Sequence, residues 1–280
     1  MESHAIGREN TYVLGSDQQE LGRLDRQAAL IDPATRLLLQ AAGIGPGLRV
    51  LDLGTGLGHV ARLAGQLVGP SGSVVGVDRA APALAVARQR VEAAGESHVS
   101  FVEGDVVGWR SDEPVDVIVG RLVLFHLPDP VMTVRHHLAN LRAGGLFVAV
   151  DFDIGGSRTE PPVGLASELL DWVMRAFSAA GASPTIGARL APILEQAGLE
   201  RVTTFGVQSY IPPHDPGGPA LLAGVVRSLA GAITKHGIAT VEQLDLPTLE
   251  RRIGDELRSA QAVLLPPTVV GAWGRRSAAA

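Results

Sequence analysis

The sequence predicts an α/β fold built on a doubly wound, mostly parallel sheet. Three observations lead there. Short, almost wholly apolar runs such as Val74-Val75-Gly76-Val77 and Val117-Ile118-Val119 alternate with longer amphipathic stretches. Strands that read apolar throughout are buried on both faces, which requires helices above and below the sheet. The first run, Val50-Leu51-Asp52-Leu53, breaks into a glycine loop, Gly54-Thr55-Gly56-Leu57-Gly58, just before a new helix. Two later runs lead to acids, Asp78 and Asp105, at the carboxyl ends of strands, where such sheets bind ligands.

Residues 16–42 read as two short helices. Ser16 and Gln19 have capping-box spacing, and Leu21, Leu24, Ala28 and Ile31 then share one helical face. Asp32-Pro33 caps and opens the second helix. Strands follow at 48–53, 73–78, 99–103, 115–120 and 145–151, with helices at 57–68, 81–94 and 130–141. Asp129 is the N-cap of the last helix, with Pro130 in its first turn. Residues 153–164 read as a Gly/Pro-containing linker. Beyond it come helices at 164–180 and 187–197, a strand at 201–211 and a Pro-rich loop at 212–219. Helices at 219–235 and 246–260 and a strand at 268–275 complete the pattern.

Composition removes several function classes. The 280 residues carry a formal charge of −5, and the densest basic spots are only the pairs Arg251-Arg252 and Arg275-Arg276. A nucleic-acid surface needs a clustered basic face, so no nucleic-acid partner is expected. There is no cysteine, which excludes disulfides, thiolate metal sites and cysteine nucleophiles. The single lysine, Lys235, stands in no phosphate-loop motif. Residues 1–10 are too polar for a signal peptide, and no apolar run approaches the ~20 residues of a membrane span. A cytoplasmic protein without a membrane partner is expected.

The glycine loop with Asp78 and Asp105 resembles the class I S-adenosylmethionine (SAM)-dependent methyltransferases over about residues 46–153. The bacterial small-molecule branch (methyltransferase type 11/25-like) is the nearest in pattern. A dinucleotide loop, G-x-G-x-x-G, would need glycine where His59 stands. His126-Leu127-Pro128-Asp129-Pro130 resembles the H-L-x-D-P loop of small-molecule members, and the N/D-P-P-Y/F tetrapeptide of DNA amino-methyltransferases is missing. Leu141-Arg142-Ala143-Gly144-Gly145 matches the family's L-x-P-G-G strand entry, with alanine in place of proline. The resemblance implies a Rossmann-like sheet of seven strands, the last antiparallel, with a lid from helices 164–180 and 219–260. It divides the chain into an N-terminal helical lid (1–45), a SAM-binding core (46–160) and the rest of the sheet with its cap insertions (161–280).

SAM is the cofactor the resemblance implies. Gly54, Thr55 and Gly56 would pass beside its methionyl part, and Asp78 would accept from the ribose hydroxyls, with Arg79 next to it among the cofactor contacts. Charge-assisted bonds of this kind contribute roughly 1.5–3 kcal/mol each. Asp105 and the backbone of Val106 fall at the adenine position, and Arg121 borders the methionyl group and sulfonium. Tyr12 and Gln27 either reach the methionyl carboxylate or pack the lid. Asp52 orders the loop from beneath.

Methyl transfer is an in-line displacement, so the protein must align the acceptor, exclude water and, for a hydroxyl acceptor, remove a proton. Two residues qualify as that base. His126 lies in the loop beside the sulfonium, or else simply holds the 126–130 turn together; Asp153 follows the fifth strand, or else is merely solvated. His136 and His137 read as surface or packing residues, and no grouping suggests a metal. Trp172, Met174 and Phe177 are either core or the wall of an apolar pocket. The expected function is methylation of O, N or C of a small-molecule metabolite or natural product, in secondary metabolism. A homodimer through the lid stays open. The alternatives are a SAM-binding protein of this fold that catalyses rearrangement or cyclisation, and a non-catalytic SAM binder.

Overall fold

The computed structural model describes residues 18–278. The elements, in chain order, are α1 (Gln18–Ala41), β1 (Arg49–Leu53), α2 (His59–Val68), β2 (Ser73–Asp78), α3 (Ala81–Ala93), β3 (Val99–Glu103), β4 (Val115–Arg121), α4 (Pro130–His137) and β5 (Leu141–Asp153). They continue with β6 (Arg158–Glu160), α5 (Gly164–Ala179), α6 (Leu190–Ala197), β7 (Glu200–Val207), α7 (Gly217–Lys235), α8 (Val241–Leu244), α9 (Leu246–Ala260), β8 (Val263–Leu265) and β9 (Thr268–Arg275).

Seven strands form one sheet in the order β3-β2-β1-β4-β5-β9-β7. β1 to β5 pair in parallel, and β9 is antiparallel to both of its neighbours. The apolar runs explain the layering. In β4 the side chains of Val117 and Val119 join a core with α1, α2 and α3, whereas Ile118 joins a core with α4, α5 and α6 on the other face. This is the doubly wound α/β sheet the sequence predicts.

The first helix departs from the expectation. Residues 18–41 form one helix with Pro33 inside it, not two helices capped by Asp32. Proline deprives the carbonyl four residues back of its donor, but Ala29 is exposed, so water reaches that group. Asp32 instead pairs with Arg121 at 2.6 Å, and the Thr35 hydroxyl donates to the Ile31 carbonyl at 2.8 Å. Tertiary contacts thus hold a helix that local signals would divide. Ser16 lies outside the described residues. At α4 the local signals prevail: the Asp129 carboxylate accepts from the Met132 amide at 2.9 Å, with Pro130 at the start.

The second half holds what periodicity could not show. The 153–164 linker contains β6, which pairs only with β8. This ribbon ties the insertion after β5 to the insertion before β9. Gln208 reinforces the join by donating to the carbonyls of Gly156 and Pro266. β7 ends at Val207 rather than running to 211, and α7 begins at Gly217, inside the expected loop. β5 starts at Leu141 and runs for 13 residues, which shortens α4 to end at His137.

Among the described residues α7 is also the one helix long and apolar enough to cross a membrane, with a mean hydropathy of 1.2. Its buried face, including Leu222, Val226, Leu229 and Ile233, belongs to the same core as α5 and α9.

Phe147 is 1% exposed at the centre of the sheet. Phe147→Ala is expected to lower stability by about 3–5 kcal/mol, seen as a lower urea midpoint at unchanged slope.

Candidate functional site

The central parallel strands end along one edge, and β1 exits between β2 and β4. Leu53 is in register with Val77 on one side and Gly120 on the other. The glycine loop therefore leaves the sheet where its strand order reverses, the place such folds form a crevice.

The glycines of this loop serve different ends. All three have positive φ, from 51° to 78°. A Cβ on Gly54 would stand 2.6 Å from the Val123 side chain, and one on Gly58 would stand 2.9 Å from Phe101. These two are small because protein packs against them. A Cβ on Gly56 would meet nothing within 4 Å, so Gly56 presents bare backbone to open space.

Asp78 closes β2 beside that opening. Its Oδ2 accepts from the Gly56 amide at 2.8 Å and its Oδ1 from the Ala80 amide at 2.9 Å. Each carboxylate oxygen keeps a second lone pair, so the oriented group still offers two acceptors to a diol. Bare backbone and a fixed carboxylate side by side fit the amino-acid and ribose ends of SAM. Arg79 is exposed next to it.

Beneath the loop Asp52 and Thr55 are buried, and neither Asp52 Oδ2 nor Thr55 Oγ1 finds a hydrogen-bond partner. Burial pushes the Asp52 pKa up to about 7, with the nearby Thr55 hydroxyl and the Arg121 charge pulling it down. Asp52 thus lies buried beneath the loop rather than at the opening. The Arg121 guanidinium turns toward α1, donating to Asp32 and to the Thr35 hydroxyl. A second clasp joins α1 to α2 and α3: Asp25 pairs with His59 at 2.9 Å and with Arg90 at 2.8 Å. Tyr12 lies outside the described residues, as does the side chain of Gln27 on α1.

Asp105 sits just past β3, exposed, with Oδ1 accepting from the Val107 amide at 2.9 Å. The Val106 carbonyl is held from behind by His137, whose Nε2 donates to it at 2.6 Å. His137 is fully buried, and its Nδ1 accepts from Asn140 at 2.8 Å. Asn140 in turn accepts the Ser111 amide. Two residues that read as unremarkable in sequence therefore brace the 105–111 loop; the only hint was their i, i+3 spacing on one helix face.

His126 lies on a 3-10 turn, residues 124–126, with its ring edge-on to Phe125 at 5.0 Å. The ring reaches the surface, yet the surrounding protein, followed by the charge of Arg79, lowers its pKa. Phe125 in turn packs edge-on to Phe177 of α5 at 5.0 Å, which brings α5 to this turn. Trp172 is core, at 5% exposure. Asp153 is half-buried and its carboxylate caps the next turn, accepting from the Gly155 amide at 3.1 Å. Among the described residues no cluster of ligating side chains is arranged for a metal.

Residues 44–198 match the family model described as a methyltransferase domain. The chain belongs to this methyltransferase family. Its domain is SAM-dependent, with SAM as the cofactor. An arsenite methyltransferase of Aquipseudomonas alcaligenes is 39% identical over 101 residues, covering 33% of this chain and 29% of that protein. The chain spans less than half the length of the curated relatives it matches. A SAM-dependent methyltransferase from Aquifex aeolicus shares the fold at a TM-score of 0.51 and 21% identity, over 70% of this chain and 93% of that one. The phosphoethanolamine N-methyltransferase 2 of Haemonchus contortus with bound S-adenosylhomocysteine does so at 0.53 and 18%, over 87% and 52%.

The His137 brace makes the methyltransferase sensitive to acid. Burial lowers the His137 pKa to about 4, against its bond to Val106. The native state therefore refuses a proton that the unfolded state takes below ~6.5. Stability is intact above that pH and falls as the pH drops from about 6.5 toward 4, by on the order of 3 kcal/mol. Thermal melts of wild type and His137→Gln across this range test it: the variant's melting temperature is expected to vary less.

Proposed function

We propose that this methyltransferase transfers the methyl group of SAM to O, N or C of a small-molecule metabolite or natural product, working in the cytoplasm. The observation that carries the reading is the pairing of bare backbone at Gly56 with the doubly oriented Asp78 carboxylate. Bound there, SAM supplies a methyl group on a sulfonium. Asp78 holds the ribose, Thr55 and Gly56 border the methionyl part, and Asp105 with Val106 borders the adenine. Support for a small acceptor comes from the lid, whose two insertions are joined by the β6–β8 ribbon and meet the site at Phe125. Arsenite, named for one relative, does not suit this chain, because soft centres are taken by thiolates and there is no cysteine.

His126 is the proton acceptor for a hydroxyl or amine substrate. Its lowered pKa keeps the imidazole neutral at neutral pH, the form a general base needs. Asp153 serves the turn that opens the lid, and its cap bond to Gly155 leaves it second to His126. Arg121 acts through α1, anchoring that helix beside the glycine loop.

Asp78→Ala is expected to weaken SAM binding at least about tenfold, since one charged hydrogen bond of ~1.5–3 kcal/mol is lost. Titration calorimetry with SAM and S-adenosylhomocysteine decides it, and unchanged affinity removes the cofactor site from Asp78. His126→Ala is expected to keep SAM affinity while lowering turnover about 10²–10⁴-fold with a hydroxyl acceptor. Full turnover in that variant would return His126 to holding its turn. SAM binding without S-adenosylhomocysteine formation across an acceptor screen would instead favour a rearrangement or cyclisation.

A further inference from the structure

Asp151 is an acid placed inside an apolar core. It lies on β5, on the same face as Phe147 and Ala149, and is 0% exposed. Neither carboxylate oxygen has a hydrogen-bond partner. The turn of residues 122–126 is seated on the same stretch of β5, its Leu122 amide donating to the Val150 carbonyl at 2.8 Å, and it begins with Leu122 at φ 55°, a conformation non-glycine residues rarely adopt. The first amides of a 3-10 turn have no acceptor within it. Here those amides, Leu124 and Phe125, act on the Asp151 carboxylate.

We infer that Asp151 is a positioning residue for His126, its carboxylate serving as the acceptor toward which the Leu124 and Phe125 amides are aimed. The inference rests on the proposed role of His126 in methyl transfer. Ionised, Asp151 offers an acceptor to each amide; protonated, it turns one oxygen into a donor with no acceptor around it. An apolar residue would be cheaper at this position, because an unpaired buried carboxyl costs stability. Its retention in the apolar strand makes sense if the turn beside the site must be held in a strained shape.

Burial, ahead of the opposing amides, raises the Asp151 pKa well above the usual carboxylate range. The charged groups on the neighbouring elements face elsewhere. Arg121 on β4 pairs with Asp32, Asp153 on β5 caps Gly155, and Arg189 on the 186–189 turn and His126 are exposed. Val270 on β9, opposite Asp151, is apolar. Ionisation of Asp151 therefore reports on the turn.

Amide hydrogen exchange of the whole chain, followed against pH, tests this without an acceptor. In wild type, protection at Leu124 and Phe125, corrected for intrinsic rates, is expected to rise at least about tenfold as Asp151 ionises. Asp151→Leu keeps the branching and heavy-atom count of the side chain and removes both acceptors, so low protection that is independent of pH is expected. Its melting temperature is expected to match or exceed wild type, because an unpaired buried carboxyl is gone. Asp151→Asn is expected to lose the pH response while retaining part of the protection, and it decides the matter if the leucine variant does not fold. Equal protection in wild type and Asp151→Leu, or an unaltered pH response in Asp151→Asn, overturns the inference. SAM calorimetry on all three should give affinities within about twofold of one another. Wild type that fails to bind SAM refutes the cofactor reading alone, leaving the exchange result to judge Asp151.

Discussion

The hydrogen bond from the Gly56 amide to the Asp78 carboxylate is the contact on which the site depends. At 2.8 Å it joins the loop after β1 to the end of β2, and so converts two strand ends into one binding edge. It also settles a conflict in the loop itself. A segment with three positive φ values in five residues has many alternatives in the unfolded chain, and glycine loses more entropy than any other residue on being fixed. A charged acceptor at the right distance offsets that loss and fixes the acid's orientation at the same time. Packing of Val123 against Gly54 and Phe101 against Gly58 then leaves Gly56 alone facing outward.

The rest of the site is arranged by contacts that reach it from behind. His137 at the end of α4 and Asn140 on the turn after it hold the 105–111 loop, and Asp32 and Asp25 of α1 engage Arg121, His59 and Arg90. None of these has to touch a ligand to matter. Each removes freedom from a loop whose backbone or side chains would otherwise have to be ordered during binding, a cost that subtracts from affinity. The insertions after β5 and before β9 follow the same logic at larger scale. Two insertions far apart in sequence become one body because three residues of β6 pair with three of β8, with Gln208 bridging the join.

Legibility in the sequence follows from whether a feature is local. The four inner parallel strands, β1, β2, β4 and β5, can be read because burial on both faces demands continuous apolar runs, and Asp78 can be read because it ends one of them. The ribbon cannot: Arg158-Thr159-Glu160 has no periodicity to detect, and it is a strand only because Val263-Leu264-Leu265 arrives beside it. Pro33 misleads for the converse reason, since its local penalty is real but smaller than the contacts that keep α1 continuous. His137 reads as either a surface or a packing histidine because nothing in its own neighbourhood announces that Val106 lies 31 residues back and 2.6 Å away. Asp151 is the hardest case, because an acid near the end of an apolar run looks like a strand terminus, and only the extension of β5 to Asp153 places it inside.

The three acids of this edge show how one residue type serves different purposes through environment. Asp78 is half-buried with two backbone donors, so its carboxylate is held in one orientation beside the opening. Asp52, one strand over and fully buried, is pushed up to about 7 and balances near neutrality beneath the loop. Asp151 is buried without a completed hydrogen bond, and burial raises its pKa well above the usual carboxylate range. Burial alone would make all three a liability, and a core built only for stability would replace the two inner ones with leucine. That the deeper acids lie directly below the glycine loop and the His126 turn, rather than scattered through the sheet, argues that the stability they forgo is spent on the geometry of the two segments between which a cofactor and its acceptor would meet.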